Sequence, residues 1–192
     1  MAKLPDSMRL FAGISIPPEV RKNLNRILEQ LRPAAPDLRW SRPENLHITT
    51  KFLGEVPEED VNRVIDALDA LPPVGRIPIA VRGLGWFPNP HSPRVFWCGI
   101  EAPPALAELA RATETALAPL GIEKENRKYS PHLTLARIHP GAGLVKLQQA
   151  VAGLASVEFG QFTAFEFHLF LSELGPGGSK YTKLADFPLE PV

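Results

Sequence analysis

Two short stretches of this chain repeat one pattern. "LHITT" at 46–50 and "PHLTL" at 131–135 each set a histidine, one apolar residue and a threonine in a run with strand composition. His47 and His132 lie 85 positions apart (132 − 47). Arg9 and Phe11 recur at that separation as Arg94 and Phe96, and Pro17-Pro18 recurs one residue further on as Pro103-Pro104. So many matches near one offset indicate an internal duplication. Two copies are too few to stack as a solenoid. The expectation is two similar lobes related by a pseudo-twofold axis, with the motif strands meeting in one groove.

The elements between the motifs follow the same plan. Apolar residues at helical spacing predict helices over 17–32 (Val20, Leu24, Ile27, Leu28, Leu31) and 57–71 (Val61, Val64, Ile65, Leu68, Leu71), and further helices over 103–119 and 141–154. Strands are predicted over 8–16, 38–41, 46–53, 76–84, 94–101, 131–138, 157–171 and 180–186. Each half reads strand, helix, strand, motif strand, helix, strand. The fold class is α+β: a single bilobal domain over 1–192, with pseudo-repeats of roughly 8–86 and 93–187, each lobe an antiparallel sheet with helices on its outer face. The first seven residues read as a loose leader, since the pattern begins at Met8.

Composition narrows the function classes. Lys+Arg and Asp+Glu are both 21, so the chain lacks the broad basic field of a general nucleic-acid coat protein. A small site with a few local cations remains open. No apolar run approaches the about 20 residues of a membrane span. The single cysteine, Cys98 in "RVFWCGI", allows no internal disulfide and reads as a small core residue. A cytoplasmic location is the default expectation.

In a strand, residues two apart share a face. His47 and Thr49 therefore point to one side, as do His132 and Thr134, with Ile48, Thr50, Leu133 and Leu135 turned towards the helices. Strict alternation adds Lys51 to the face of His47. Two imidazoles in one groove suit paired proton transfer, because histidine titrates near pH ~6.5 and one ring can be neutral while the other is charged. Hydroxyls and cations can hold the free oxygens of a phosphate. Metal is the main rival for the histidines, but threonine is a poor ligand and neither motif holds a carboxylate, so no metal is expected. "GPGGSK" at 175–180 lacks the spacing of a phosphate-binding loop and reads as a turn. His91 and His139 read as loop residues and His168 as a sheet residue, without chemistry.

The stretches "LHITTKFLGEV" and "SPHLTLARI" resemble the paired motifs of the two-histidine phosphoesterases. Within them the chain is similar to the RNA 2′,3′-cyclic phosphodiesterases, historically called 2′-5′ RNA ligases. The resemblance also takes in "RLFAGISIP", "PRVFWCGI" and "LFLSELGPGGSKYTKLADFPL". It implies that His47 is the proton donor and His132 the proton acceptor, roles the residues themselves do not distinguish. It implies that Thr49, Thr134 and Arg137 bind the substrate phosphate; alternation sets Lys51 beside them as a further phosphate-binding candidate, and no cofactor is expected. Arg137 requires the strand to end or bulge before it, since alternation alone puts it on the wrong face. The implied partner is RNA ending in a 2′,3′-cyclic phosphate, with tRNA fragments as one source. Two other functions stay open: an RNA-end binding or ligating protein, and an enzyme for small cyclic phosphates. Phe11, Trp40 and Tyr181 are aromatic candidates for stacking on a base, each weighed against a core role.

Overall fold

Nine strands and four helices are formed among residues 6–190, the part of the chain that the computed structural model describes. In chain order they are β1 (Ser7–Ser15), α1 (Pro18–Leu31), β2 (Arg39–Trp40), β3 (His47–Pro57), α2 (Val61–Asp69), β4 (Ile77–Phe87), β5 (Val95–Glu101), α3 (Pro104–Leu117), β6 (His132–Arg137), α4 (Val145–Ala152), β7 (Glu158–Ala164), β8 (Glu166–Gly175) and β9 (Gly178–Pro188). All four predicted helices form. The second is shorter than 57–71, because β3 runs on to Pro57 and a 3-10 turn over Glu58–Asp60 precedes α2. Ser7 already belongs to β1. Most of the predicted leader, residues 1–5, lies outside the described residues.

The strands form two antiparallel sheets. The first has the order β3-β1-β8-β9 and the second β2-β6-β5-β4-β7. The α+β class with two lobes is as expected. The lobes are not simply the two sequence repeats, however, because each borrows from the other half. β4, from the first half, pairs with β5 in the second sheet, and β8, from the second half, pairs with β1 in the first. Helix α1 crosses to pack on β7, where the Asn23 side-chain amide donates to Phe159 O at 2.9 Å, and α3 packs on β3. Neither half could bury its apolar faces alone. Periodicity reports which face of an element is apolar but not which sheet it covers.

The predicted strand over 157–171 is two strands for the same reason. It breaks at Phe165, between β7 in the second sheet and β8 in the first. The ladder also revises the internal alignment. Ser15 lies opposite His47 and Gly99 opposite His132, so the first strands of the halves correspond at 84 positions (99 − 15). That one-residue difference moves a side chain to the other face. Phe11 consequently touches His47 on the groove side (ring centroids 4.5 Å), whereas Phe96 is fully buried against Trp40 and Trp86. Cys98 is core, as expected, and burial pushes its thiol up to about 12.

Candidate active site

Both motif strands carry the same irregularity. Gly13 pairs with Thr49 and Ala12 with Lys51, leaving Thr50 unpaired across the ladder. Trp97 pairs with Thr134 and Phe96 with Ala136, leaving Leu135 unpaired. Thr50 and Leu135 each stand three residues after their histidine. A bulge of this kind places one extra residue and re-aims those that follow. Two consecutive side chains then turn inward, Thr50 and Lys51 in one strand and Leu135 and Ala136 in the other, all of them buried. The next residues, Phe52 and Arg137, return to the face of the histidines, and both are exposed.

The bulge thus supplies what Arg137 required. It also removes Lys51 from the groove, which corrects the expectation from strict alternation. The Lys51 ammonium lies under α3, 2.8 Å from Glu114 Oε2 and 2.5 Å from Glu123 O. Thr50 faces inward as expected, but its hydroxyl is buried without a hydrogen-bond partner among the described residues. A buried unsatisfied hydroxyl costs on the order of 1–3 kcal/mol. Thr50→Val keeps the shape and removes that cost. It should raise the unfolding free energy by about 1 kcal/mol with kcat/KM unchanged, as measured by denaturant titration and assay. A loss of stability would mean that the hydroxyl has a partner.

The two imidazoles are held alike. His47 Nδ1 lies 2.6 Å from Asn45 O and His132 Nδ1 lies 2.8 Å from Ser130 O, each carbonyl two residues before its ring. A carbonyl only accepts, so Nδ1 carries the hydrogen in both rings and Nε2 is the nitrogen left able to accept a proton. At His47 the Thr49 hydroxyl donates to Nε2 at 3.0 Å, while His132 Nε2 has no partner among the described residues. Phe87 stands edge-on to His132 at 5.0 Å and Tyr181 edge-on to His47 at 5.1 Å.

Electrostatics separates the rings. Burial, with lesser contributions from the charges of His132 and Arg137, lowers the His47 pKa to about 4, against a raising effect from the Asn45 carbonyl. These charges act on His47 only because β6 brings them to the same groove as β3. The threonine backbones are pinned across the halves. Ser41 Oγ donates to Thr134 O at 2.6 Å, and the Tyr129 hydroxyl donates to Thr49 O at 2.9 Å. Burial pushes the Tyr129 phenol up, so it remains a donor. Neither clamp has a sequence signature, because each joins residues far apart in the chain.

Of the aromatic candidates, Phe11 is buried beneath His47 and stacks on Phe170. Trp40 packs on Phe96 and donates its indole N–H to Ala35 O. Tyr181 is half-buried at the groove. The aromatic that sequence reasoning missed is Phe52, 59% exposed on the histidine face. Its signal was the bulge, which alternation hides. Among the described residues, one cluster has the donor types and spacing for a metal: Glu166, His168 and Asp186. His168 there is buried, and its Nδ1 already donates to Asp186 at 2.7 Å.

Two exchanged lobes, each offering a His-x-Thr strand with a bulge to one groove, define a protein of the two-histidine phosphoesterase type. The chain belongs to the family described as LigT-like phosphoesterases, whose model matches it twice, over residues 14–97 and 100–181. The RNA 2′,3′-cyclic phosphodiesterase of Methanothermobacter thermautotrophicus is 34% identical over 183 residues, covering 95% of this chain and 99% of that one. The crystal structure of a Thermus thermophilus protein superposes with a TM-score of 0.78 at 31% identity, covering 96% of this chain and 99% of that one. E. coli LigT complexed with 3′-AMP gives a TM-score of 0.75 at 26% identity, with the same coverage. No helix among the described residues is long and apolar enough to cross a membrane.

Proposed function

We propose that the protein hydrolyses RNA 2′,3′-cyclic phosphate ends to 2′-phosphomonoesters. The carrying observation is the pair of imidazoles, each with Nδ1–H held by a backbone carbonyl and Nε2 left for chemistry, whose charges interact across one groove. His132 Nε2 takes a proton from water, which attacks phosphorus. The P–O3′ bond breaks, and the leaving oxygen takes a proton from His47 Nε2. The Thr49 and Thr134 hydroxyls and the Arg137 guanidinium hold the non-bridging oxygens, and Phe52 offers its face to the base. The name shared by the M. thermautotrophicus relative and others supports this substrate, as does the nucleotide in the E. coli LigT complex. The reading places the enzyme in the cytoplasm, with tRNA fragments as one source of its substrate. Every proton and charge in these steps comes from a side chain, so no step calls on a metal.

The test is turnover of a short RNA with a 2′,3′-cyclic end in the presence of a chelator, with the product identified as the 2′-phosphate. Binding without turnover favours an RNA-end binding protein. Loss on chelation with recovery on added zinc or manganese favours the metal rival. The pH dependence adds a second check. In the free protein His47 gains its second proton only near pH 4. The kcat/KM profile reports the free enzyme, so its acid limb should fall at about pH 4 rather than near 6.5. A bound phosphate anion favours the imidazolium and raises that pKa, so the acid limb of kcat should lie at higher pH. Coincident limbs near pH ~6.5 would mean that the His47 ring is not desolvated.

A further inference from the structure

Beside His47, bordered by residues 44–47 and not by Thr49, lies a cavity of about 220 Å³ between the first sheet and the start of α1. Ser15, Arg21, Tyr181 and Lys183 line it, and Asn45 forms a wall. The wall is rigid, because Asn45 O holds His47 and the Asn45 amide donates to Ser179 O at 2.6 Å. Arg21 gives one guanidinium N–H to Ile16 O at 2.8 Å, yet its Nε is buried without an acceptor. Lys183 makes no ion pair among the described residues. The exposed Glu44 also borders the cavity, leaving one net positive charge from these three side chains.

We propose that this cavity is a subsite for a phosphodiester group, the linkage on the 5′ side of the nucleotide whose cyclic end lies at the two histidines. The proposal rests on the cyclic phosphodiesterase reading above. Arg21 and Lys183 both line the cavity, and an anionic oxygen is the strongest acceptor for their N–H groups. The guanidinium fork matches phosphate geometry, and Lys183 adds a point charge beside it. The Ser15 and Tyr181 hydroxyls can complete the shell. The cavity shares its His47 wall with the catalytic groove, so a group there is a near neighbour of the reacting phosphate. In an RNA end that neighbour is the next phosphodiester. The site would make the enzyme prefer a chain end over a cyclic mononucleotide.

The experiment compares four probes: adenosine 2′,3′-cyclic phosphate, the same with a 5′-phosphate, the dinucleotide ApA ending in a cyclic phosphate, and that dinucleotide with a neutral methylphosphonate linkage. The charged dinucleotide should exceed the neutral one by about tenfold in kcat/KM, the worth of one charge-assisted hydrogen bond. Lys183→Glu should bring that ratio to one while leaving turnover of the unsubstituted mononucleotide unchanged. Arg21→Lys, which keeps the charge but not the fork, should give an intermediate ratio. If the 5′-phosphorylated mononucleotide matches the charged dinucleotide, the site takes a terminal phosphate equally well, and its preference for a chain linkage is overturned. Equal rates for charged and neutral dinucleotides in the native protein, or a Lys183→Glu loss shared by all four probes, would overturn the subsite. Calorimetric binding of the dinucleotide 2′-phosphate products keeps the two readings apart. A protein without turnover that still discriminates charged from neutral linkage retains the subsite and loses the hydrolase reading.

Discussion

His132→Ala is expected to lower turnover of a cyclic phosphate end by about 10²–10⁴-fold, the usual contribution of one general acid or base. Folding should survive. The His132 ring reaches the protein through the Ser130 carbonyl and an edge contact with Phe87, and its side chain is otherwise open to the groove. His47→Ala should cost as much in turnover but also some stability, because that ring packs on Phe11 and Tyr181. His47→Gln fills more of the space and serves as the cleaner probe. The double variant should fall well short of the product of the two single losses, since both rings serve one displacement. Single-turnover rates, with circular dichroism to confirm folding, decide the matter. A folded His132→Ala protein with near-native turnover would remove the paired-histidine mechanism and favour a binding protein.

The centre of this site was legible because its logic is local. His-x-Thr in a strand puts two groups on one face, and a repeated motif puts two such strands in one protein. What alternation could not carry was the extra residue in each strand. Thr50 and Leu135 have ordinary strand composition, and nothing in their chemistry announces a bulge. Only pairing against β1 and β5 reveals it. Strict alternation therefore puts Lys51 in the groove and hides Phe52, two errors with one cause. The fold shows the same boundary. Helix positions followed from apolar spacing, but the exchange of α1, α3, β4 and β8 between halves is a property of long-range contacts. The break at Phe165 is invisible for that reason, since β7 and β8 differ in partner rather than in pattern.

The displaced lysine yields the other large effect. Lys51 is 5% exposed, and its ammonium is 2.8 Å from the Glu114 carboxylate and 2.5 Å from the Glu123 carbonyl. Removing one member of a buried pair leaves the other desolvated and unmatched, at a cost of about 3–5 kcal/mol. The Glu114 side chain keeps 21% exposure and also accepts from the Glu125 amide, so the lower end applies. Lys51→Met, which retains most of the stem, should therefore lower the unfolding free energy by about 3 kcal/mol, roughly a hundredfold in the folding equilibrium. The kcat/KM of the folded fraction should stay near native, because the ammonium points beneath α3 and not at the substrate. Replacing Glu114 with leucine in the same protein should recover most of the loss, since an apolar pair of similar volume can stand in for a buried ion pair. A phosphate-binding lysine predicts the reverse: stability unchanged, kcat/KM down by about tenfold or more, and no rescue at Glu114. Denaturant titration and initial rates on Lys51→Met therefore test the bulge itself, because only the extra residue at Thr50 turns this side chain away from His47.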